Sequence, residues 1–180
     1  MERHDAWPVA LDKWLSEARD TNPYATAESL RQWDNVIRNH TADALEAVAS
    51  QWRNWYTEAH RDLPTPSREH PWPDRSQLAR VQDLKRAADQ CSAEASRVRA
   101  QEMPSQDRVF HRLRANDGLL DLLVACDARL AGHVDALVAL AHPGPLEDEP
   151  SRRLRLETAL AAVLAALGER QAALAPPTPF

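Results

Sequence analysis

The sequence predicts an all-α protein, a four-helix antiparallel up-down-up-down bundle with an additional short N-terminal helix. Three observations carry that expectation. Apolar residues recur at three- and four-residue steps in five segments, and no run alternates with period two over a strand's length. Ala, Leu and Arg, all strong helix formers, dominate a 180-residue chain that holds only four glycines. The connections between the long amphipathic segments are mostly short, which favours antiparallel neighbours.

The first segment, Asp5 to Asp20, carries Trp7, Leu11, Trp14, Leu15 and Ala18 at helical spacing. Pro8 falls in its first turn, where a missing N–H costs nothing, and Thr21-Asn22-Pro23 ends it. The second starts from Thr26 as N-cap and runs to Asp62 through Leu30, Trp33, Ile37, Leu45, Val48, Trp52 and Tyr56. As one helix it is about 55 Å long at 1.5 Å per residue. Asn39-His40-Thr41 competes for backbone hydrogen bonds midway, so a kink or a fresh start at Thr41 is the alternative.

Four prolines, at 64, 66, 71 and 73, make 63–73 an extended connector. Asp74 and Gln77 then resemble a capping box. Leu78, Val81, Leu84, Ala88, Cys91, Ala95 and Val98 follow as a coiled-coil-like seam whose small members admit a close neighbour. Met103-Pro104 stops this helix and Ser105 caps the next. The fourth stripe, Val109, Leu113, Leu120, Leu123, Leu130, Val134, Leu137 and Ala141, reaches His142-Pro143, with a kink or split at the turn-like Asn116-Asp117-Gly118 as the alternative. An acidic connector, 143–149, leads to Pro150 at a helix start and to Leu156, Leu160, Val163, Leu164, Leu167 and Leu174. Residues 1–175 thus read as a single helical-bundle domain and 176–180 as a flexible tail.

Composition excludes several classes of function. No apolar run approaches the roughly 18 residues of a membrane span, and Met1-Glu2-Arg3-His4-Asp5 lacks the basic-then-apolar order of a signal peptide. A cytoplasmic location without a membrane partner is expected. Cys91 and Cys126 sit in helical pattern rather than as C-x-x-C, so both are expected to be free thiols. Abundant Ala, with Arg in place of Lys, is what a GC-rich bacterial coding sequence produces and carries no function.

Charge is unevenly spread. Residues 1–63 hold seven basic against eleven acidic side chains, residues 74–115 nine against six, and residues 116–180 five against nine. The third helix and the start of the fourth form a mildly basic band, and weak binding of nucleic-acid phosphate through that helix is a third reading. Acids at 83, 89, 94, 102 and 107 interrupt the band and the pI is about 5.8, whereas a nucleic-acid surface shows a stripe of one sign, so nucleic acid is not the expected partner.

Motifs of catalysis and cofactor binding are missing. No two of the seven histidines lie four residues apart, Glu-x-x-His and H-E-x-x-H do not occur, and the glycines are too dispersed for a phosphate-binding or dinucleotide loop. The expectation is therefore no catalytic residue, no metal and no cofactor; a metal site would need distant residues, His40 and Asp43 with His111 or His133. Two polar residues, Asn116 and Asp127, fall on the apolar stripe of the fourth helix. Asp127 there is a pocket carboxylate with a raised pKa or the partner of an Arg from a facing helix; the reading preferred over a pocket is a structural polar layer that fixes register, or a kinked helix that exposes Asn116.

All six tryptophans and both tyrosines precede residue 73. Trp52, Trp55 and Tyr56 cannot all face one core, because neighbours on a helix point about 100° apart. With Arg53 they make the candidate partner-binding set, since Trp, Tyr and Arg dominate interface energetics. The first reading is a non-catalytic helical interaction or assembly module that binds a protein partner or forms a homo-oligomer. The alternative is a bundle that binds a small ligand or metal, or a cryptic enzyme, with an aromatic-lined pocket polarised by Asp127 or Asn116.

Overall fold

The helical pattern becomes helix throughout. A computed structural model describes residues 9–17, 22–65, 68, 72–102, 106–141 and 149–175. Its helices are α1 (Val9–Glu17), α2 (Ala27–Arg61), α3 (Arg75–Ala100), α4 (Gln106–Ala115), α5 (Asp117–Ala139) and α6 (Glu149–Leu174), with no strand among the described residues. None of these helices is long and apolar enough to cross a membrane. The expectations for Trp7, for a cap at Ser105, for the Met103-Pro104 stop and for the tail at 176–180 lie outside the described residues, as does most of the 143–149 connector.

α2 is one helix of 35 residues. At its start Thr26 adopts extended backbone and forms a capping box: its side chain accepts the Ser29 N–H at 3.0 Å, and the Ser29 hydroxyl accepts the Thr26 N–H at 2.9 Å. No break occurs at Asn39-His40-Thr41, where Thr41 is fully buried and His40 stacks on Trp14 with ring centroids 6.3 Å apart. Tertiary packing overrides the local preference of these residues for turns.

α3 begins at Asp74, whose carboxylate takes the Ser76 N–H at 3.0 Å; the cap that forms is this bond rather than a reciprocal one with Gln77. The seam runs as the spacing indicates, with Val81, Leu84, Ala88, Cys91, Ala95 and Val98 buried, while Leu78 lies outside it, 37 % exposed. Its partner is α2, in the most extensive helix pairing of the molecule. Arg99 meets Asp43 at 2.7 Å, Ser92 donates to Glu46 at 2.7 Å, and Arg38 donates to the Gln101 carbonyl. Positions rising along α2 thus meet positions falling along α3, so the two run antiparallel.

The fourth segment splits. Asn116 takes extended backbone (φ −149°, ψ 97°) between α4 and α5, so the turn-like string outweighs the apolar periodicity there. The break re-phases the stripe: Leu119, Leu123 and Leu130 are buried, and Leu120 is only half-buried. α5 packs along α6, and α4 touches α2 and α5. Arg112 of α4 donates to the carbonyls of Ala173, Leu174 and Ala175, which the end of α6 leaves without intrahelical partners. α1 lies on α5, where Asp135 accepts the Ala10 N–H at 3.1 and 3.2 Å, a carboxylate against the positive end of a helix.

All six helices contribute to one hydrophobic core, in which Trp14, Trp33, Ile37, Leu45, Leu130 and Leu137 are almost wholly buried. Truncating Leu130, 0 % exposed, to alanine is expected to cost roughly 2–5 kcal/mol in urea unfolding, because transfer and cavity terms add. Leu122→Ala, at a side chain 48 % exposed on the same helix, is expected to cost well under half of that.

Cys91 sits in the α2–α3 seam as a free thiol, and burial pushes it from its ordinary 9.0 to about 11, with the Glu46 and Glu94 carboxylates adding to the shift. Between those values the folded chain keeps a proton that the unfolded chain has released. This contribution to stability is therefore fully present below pH 9 and falls as pH rises toward 11. Denaturant unfolding at pH 8 and pH 10.5 is expected to show a smaller loss for Cys91→Ala than for the natural chain.

Candidate functional site

The deepest polar feature is an ion cluster that joins three helices. Asp127 on α5, Asp34 on α2 and Arg170 on α6 are 2–3 % exposed. Arg170 donates from Nε to Asp127 Oδ1 at 2.7 Å and from Nη1 to Asp34. The other oxygen of Asp34 takes Arg38 Nε at 2.8 Å. The other oxygen of Asp127 accepts the Trp33 indole N–H at 2.6 Å and the Tyr24 hydroxyl. Tyr24 reaches it because the Asn22 side chain accepts the Tyr24 N–H at 3.0 Å just ahead of α2. Two guanidinium groups and two carboxylates balance, which is the condition for keeping such groups out of water.

The cluster ties α2, α5 and α6 together. Burial, reinforced by the Asp127 charge, pushes the Tyr24 phenol well above its ordinary value and outweighs the opposing pull of Arg170. Burial alone would lower Arg170, but Asp127 and Asp34 reverse that and hold it above the usual guanidinium range. Both shifts favour the protonated form of the group. Among the sequence readings of Asp127, the structure places it against an Arg from a facing helix. Asn116 is not with it: it stands exposed as N-cap of α5 without a side-chain capping bond, because the chain breaks there.

Sequence reasoning missed Arg170, Asp34 and Tyr24, although the signal for two of them was present. Arg170 occupies the step between Leu167 and Leu174 in the stripe 156–160–163–167–174, and Asp34 occupies the i+4 position from Leu30. Both are charges in core register, as Asp127 is.

The candidate partner-binding set does not form one surface. Trp52 is 2 % exposed and meets Trp55 edge-on at 5.2 Å. Trp55 is half-buried, with the Arg152 guanidinium of α6 5.3 Å above its ring. Tyr56 is half-buried beside His60, ring centroids 5.8 Å apart. Arg53 points to the other flank, donating to Ser92 of α3 at 2.7 Å and pairing with Glu46 at 3.4 Å. The helical repeat separates them: Trp55 serves α6 while Arg53 serves α3.

Trp52 also forms the inner wall of a cleft of about 620 Å³ between the first turns of α3 and α6. Ala79 and Leu84 line one side and Pro150 and Leu154 the other, with Arg80 among the polar groups. Arg153 spans the cleft to Asp83 at 2.8 Å and also holds Glu157 at 2.9 Å. A smaller hollow of about 260 Å³ lies beside Trp52 and Trp55, lined also by Arg152 and Glu58. A third groove, about 370 Å³, lies between α1, α2 and α5 and brings His40 and Asp43 together with Asp135. Asp135 is already committed to the start of α1, and no group of three His, Cys, Asp or Glu side chains placed to hold a metal occurs among the described residues.

No family model, curated protein or solved structure matches this chain.

Removing Arg170 tests the lock. Arg170→Ala leaves two buried carboxylates without their shared cation and is expected to lose roughly 3–5 kcal/mol in chemical unfolding. Combining Arg170→Met and Arg38→Met with Asp34→Asn and Asp127→Asn removes all four charges of the cluster together and is expected to regain most of that loss.

Proposed function

We propose that the chain is a non-catalytic helical interaction or assembly module, an up-down-up-down bundle of α2, α3, α5 and α6 with α1 and α4 packed against it. One observation carries this reading: the outer faces of α5 and α6 carry a run of small and apolar residues, crossed by the exposed Arg129–Glu169 ion pair. Leu122, Ala125, Ala136 and Ala139 are exposed along α5, and Ala161, Ala165, Gly168 and Ala172 along α6, at helical spacing opposite the core positions. A Cβ placed on Gly168 would meet nothing within 4 Å, so no contact inside the chain accounts for a glycine that costs a helix interior about 1 kcal/mol relative to alanine. A second helix lying close on this face would account for it, since small residues permit the shortest axial separations. The occupant we favour is a second copy of the chain.

The charged surface supports the same reading over phosphate binding. Arg86, Arg97 and Arg99 of the basic band are paired with Asp83, Glu94 and Asp43 at 2.6–3.0 Å. A cytoplasmic setting, with Cys91 and Cys126 kept as thiols, goes with the proposal. The cleft beside Trp52 favours a second reading, a bundle that binds a small ligand between its helices; its volume falls in the range of small-molecule sites.

Sedimentation velocity across a hundredfold concentration range tests self-association. The natural chain is expected to shift from monomer to dimer, and Ala165→Arg to remain monomeric with an unchanged helical circular dichroism signal. A natural chain that stays monomeric throughout would remove the second copy as occupant.

A further inference from the structure

We propose that two copies of the chain pair along the outer seam of α6, antiparallel about a twofold axis level with Ala162 and Leu164. The proposal rests on the self-association reading above and gives it a face, a direction and a register. α6 carries two seams rather than one. The inner seam, Leu156, Leu160, Val163, Leu167, Arg170 and Leu174, is buried in the core. Two residues before each of those positions stands an exposed one: Leu154, Thr158, Ala161, Ala165, Gly168 and Ala172, again at alternating steps of four and three. That is the heptad spacing by which one helix follows another along its length. Leu154 is 65 % exposed and a Cβ on Gly168 would meet nothing within 4 Å, so the outer seam is open at both ends.

Side-chain sizes choose the direction. The larger members, Leu154 and Thr158, stand at the start of the seam, and Gly168 and Ala172 at its end. In an antiparallel pair centred between Ala161 and Ala165, Leu154 meets the partner's Ala172, Thr158 the partner's Gly168, and Ala161 the partner's Ala165. Each larger side chain then faces a small one, and the glycine falls where a β-branched threonine needs room. A parallel pair sets leucine on leucine and leaves a void between two glycines. The hydroxyl of Thr158 donates to the Leu154 carbonyl of its own chain at 2.8 Å, so the seam can be buried without stranding a donor.

Charges choose the same direction. Arg155 and Glu169 lie two heptads apart, hence on one flank of the seam, the flank where Glu169 pairs with Arg129 of α5. The antiparallel register brings Arg155 beside the partner's Glu169, and the twofold axis makes that contact twice. Glu169 is 52 % exposed, and its carboxylate has lone pairs for both arginines. In a parallel pair Glu169 lies beside the partner's Leu164 instead. One pair of helices buries less than a standard interface, so the dimer is expected to be weak and concentration-dependent.

Disulfide trapping with the full chain tests direction and register. Leu154→Cys and Ala172→Cys, both at exposed positions, are made in separate chains, one of them carrying a mass tag. Cys91 and Cys126 are buried, and the natural chain oxidised alongside controls for them. In the antiparallel pair each added cysteine lies about 27 Å along the axis from its own counterpart, beyond the reach of a disulfide. Neither variant alone is expected to cross-link, whereas the equimolar mixture is expected to yield a heterodimer at least fivefold above the natural-chain background. Gly168→Ala gives an independent readout with opposite signs. It is expected to raise the urea midpoint of the monomer, because alanine favours a helix interior, and to weaken the dimer about fivefold in sedimentation, because its methyl takes the space of Thr158. Self-linking of either variant at or above the level of the mixture, a mixture at background while sedimentation shows a dimer, or a Gly168→Ala dimer of unchanged affinity would each overturn this arrangement and leave the self-association reading standing. A natural chain that stays monomeric would overturn both.

Discussion

The guanidinium of Arg170 is the constraint around which the rest is arranged. It is one cation, fully withdrawn from water, that must find two carboxylates from two other helices. Those carboxylates in turn require Arg38, Tyr24 and Trp33 to satisfy their remaining lone pairs. A hydrophobic seam tolerates a sliding or rotated neighbour at modest cost, since one apolar side chain replaces another. A hydrogen-bonded charge cluster does not, because a shift of one helical step strands an ion in a low-dielectric interior. The apolar stripes supply the driving force for assembly, and the cluster selects the register of α2, α5 and α6 from among the packings those stripes would allow.

How much of this is legible in the sequence depends on the range over which each feature is decided. Helix positions, the Thr26 cap, the Pro-rich connector and the α3 seam are decided within a few residues, and the periodicity exposes them. The continuity of α2 through Thr41 and the break at Asn116 were open alternatives, because the same kind of turn-like string is overruled in one place by Trp14 packing on His40 and prevails in the other. The ion cluster lay out of reach for a different reason. Asp34 and Arg170 are 136 positions apart, and nothing local to either residue names the other. Even so, three charges standing in core register on three helices mark themselves as partners, and only one of them was singled out.

The tryptophans show how the same composition serves two ends. Trp14, Trp33 and Trp52 are core residues on the first two helices, while the core positions of α3 include the small Ala87, Ala88, Cys91 and Ala95. Trp55, one helical turn beyond Trp52, leaves the core and takes Arg152 over its face. The concentration of rings toward the N-terminal part of the sequence is first a packing requirement, with the cleft at the end of α3 and α6 as its by-product.

The α2–α3 pairing carries a consequence for the order of assembly. Its contacts run antiparallel across the connector 62–74, whereas the cluster joins residues as far apart as Asp34 and Arg170. During synthesis the hairpin can close along its seam while Asp34 still faces solvent with Arg38 alone. Asp34 and Trp33 draw their remaining partners, Arg170 and Asp127, from α6 and α5, the last two helices of the chain.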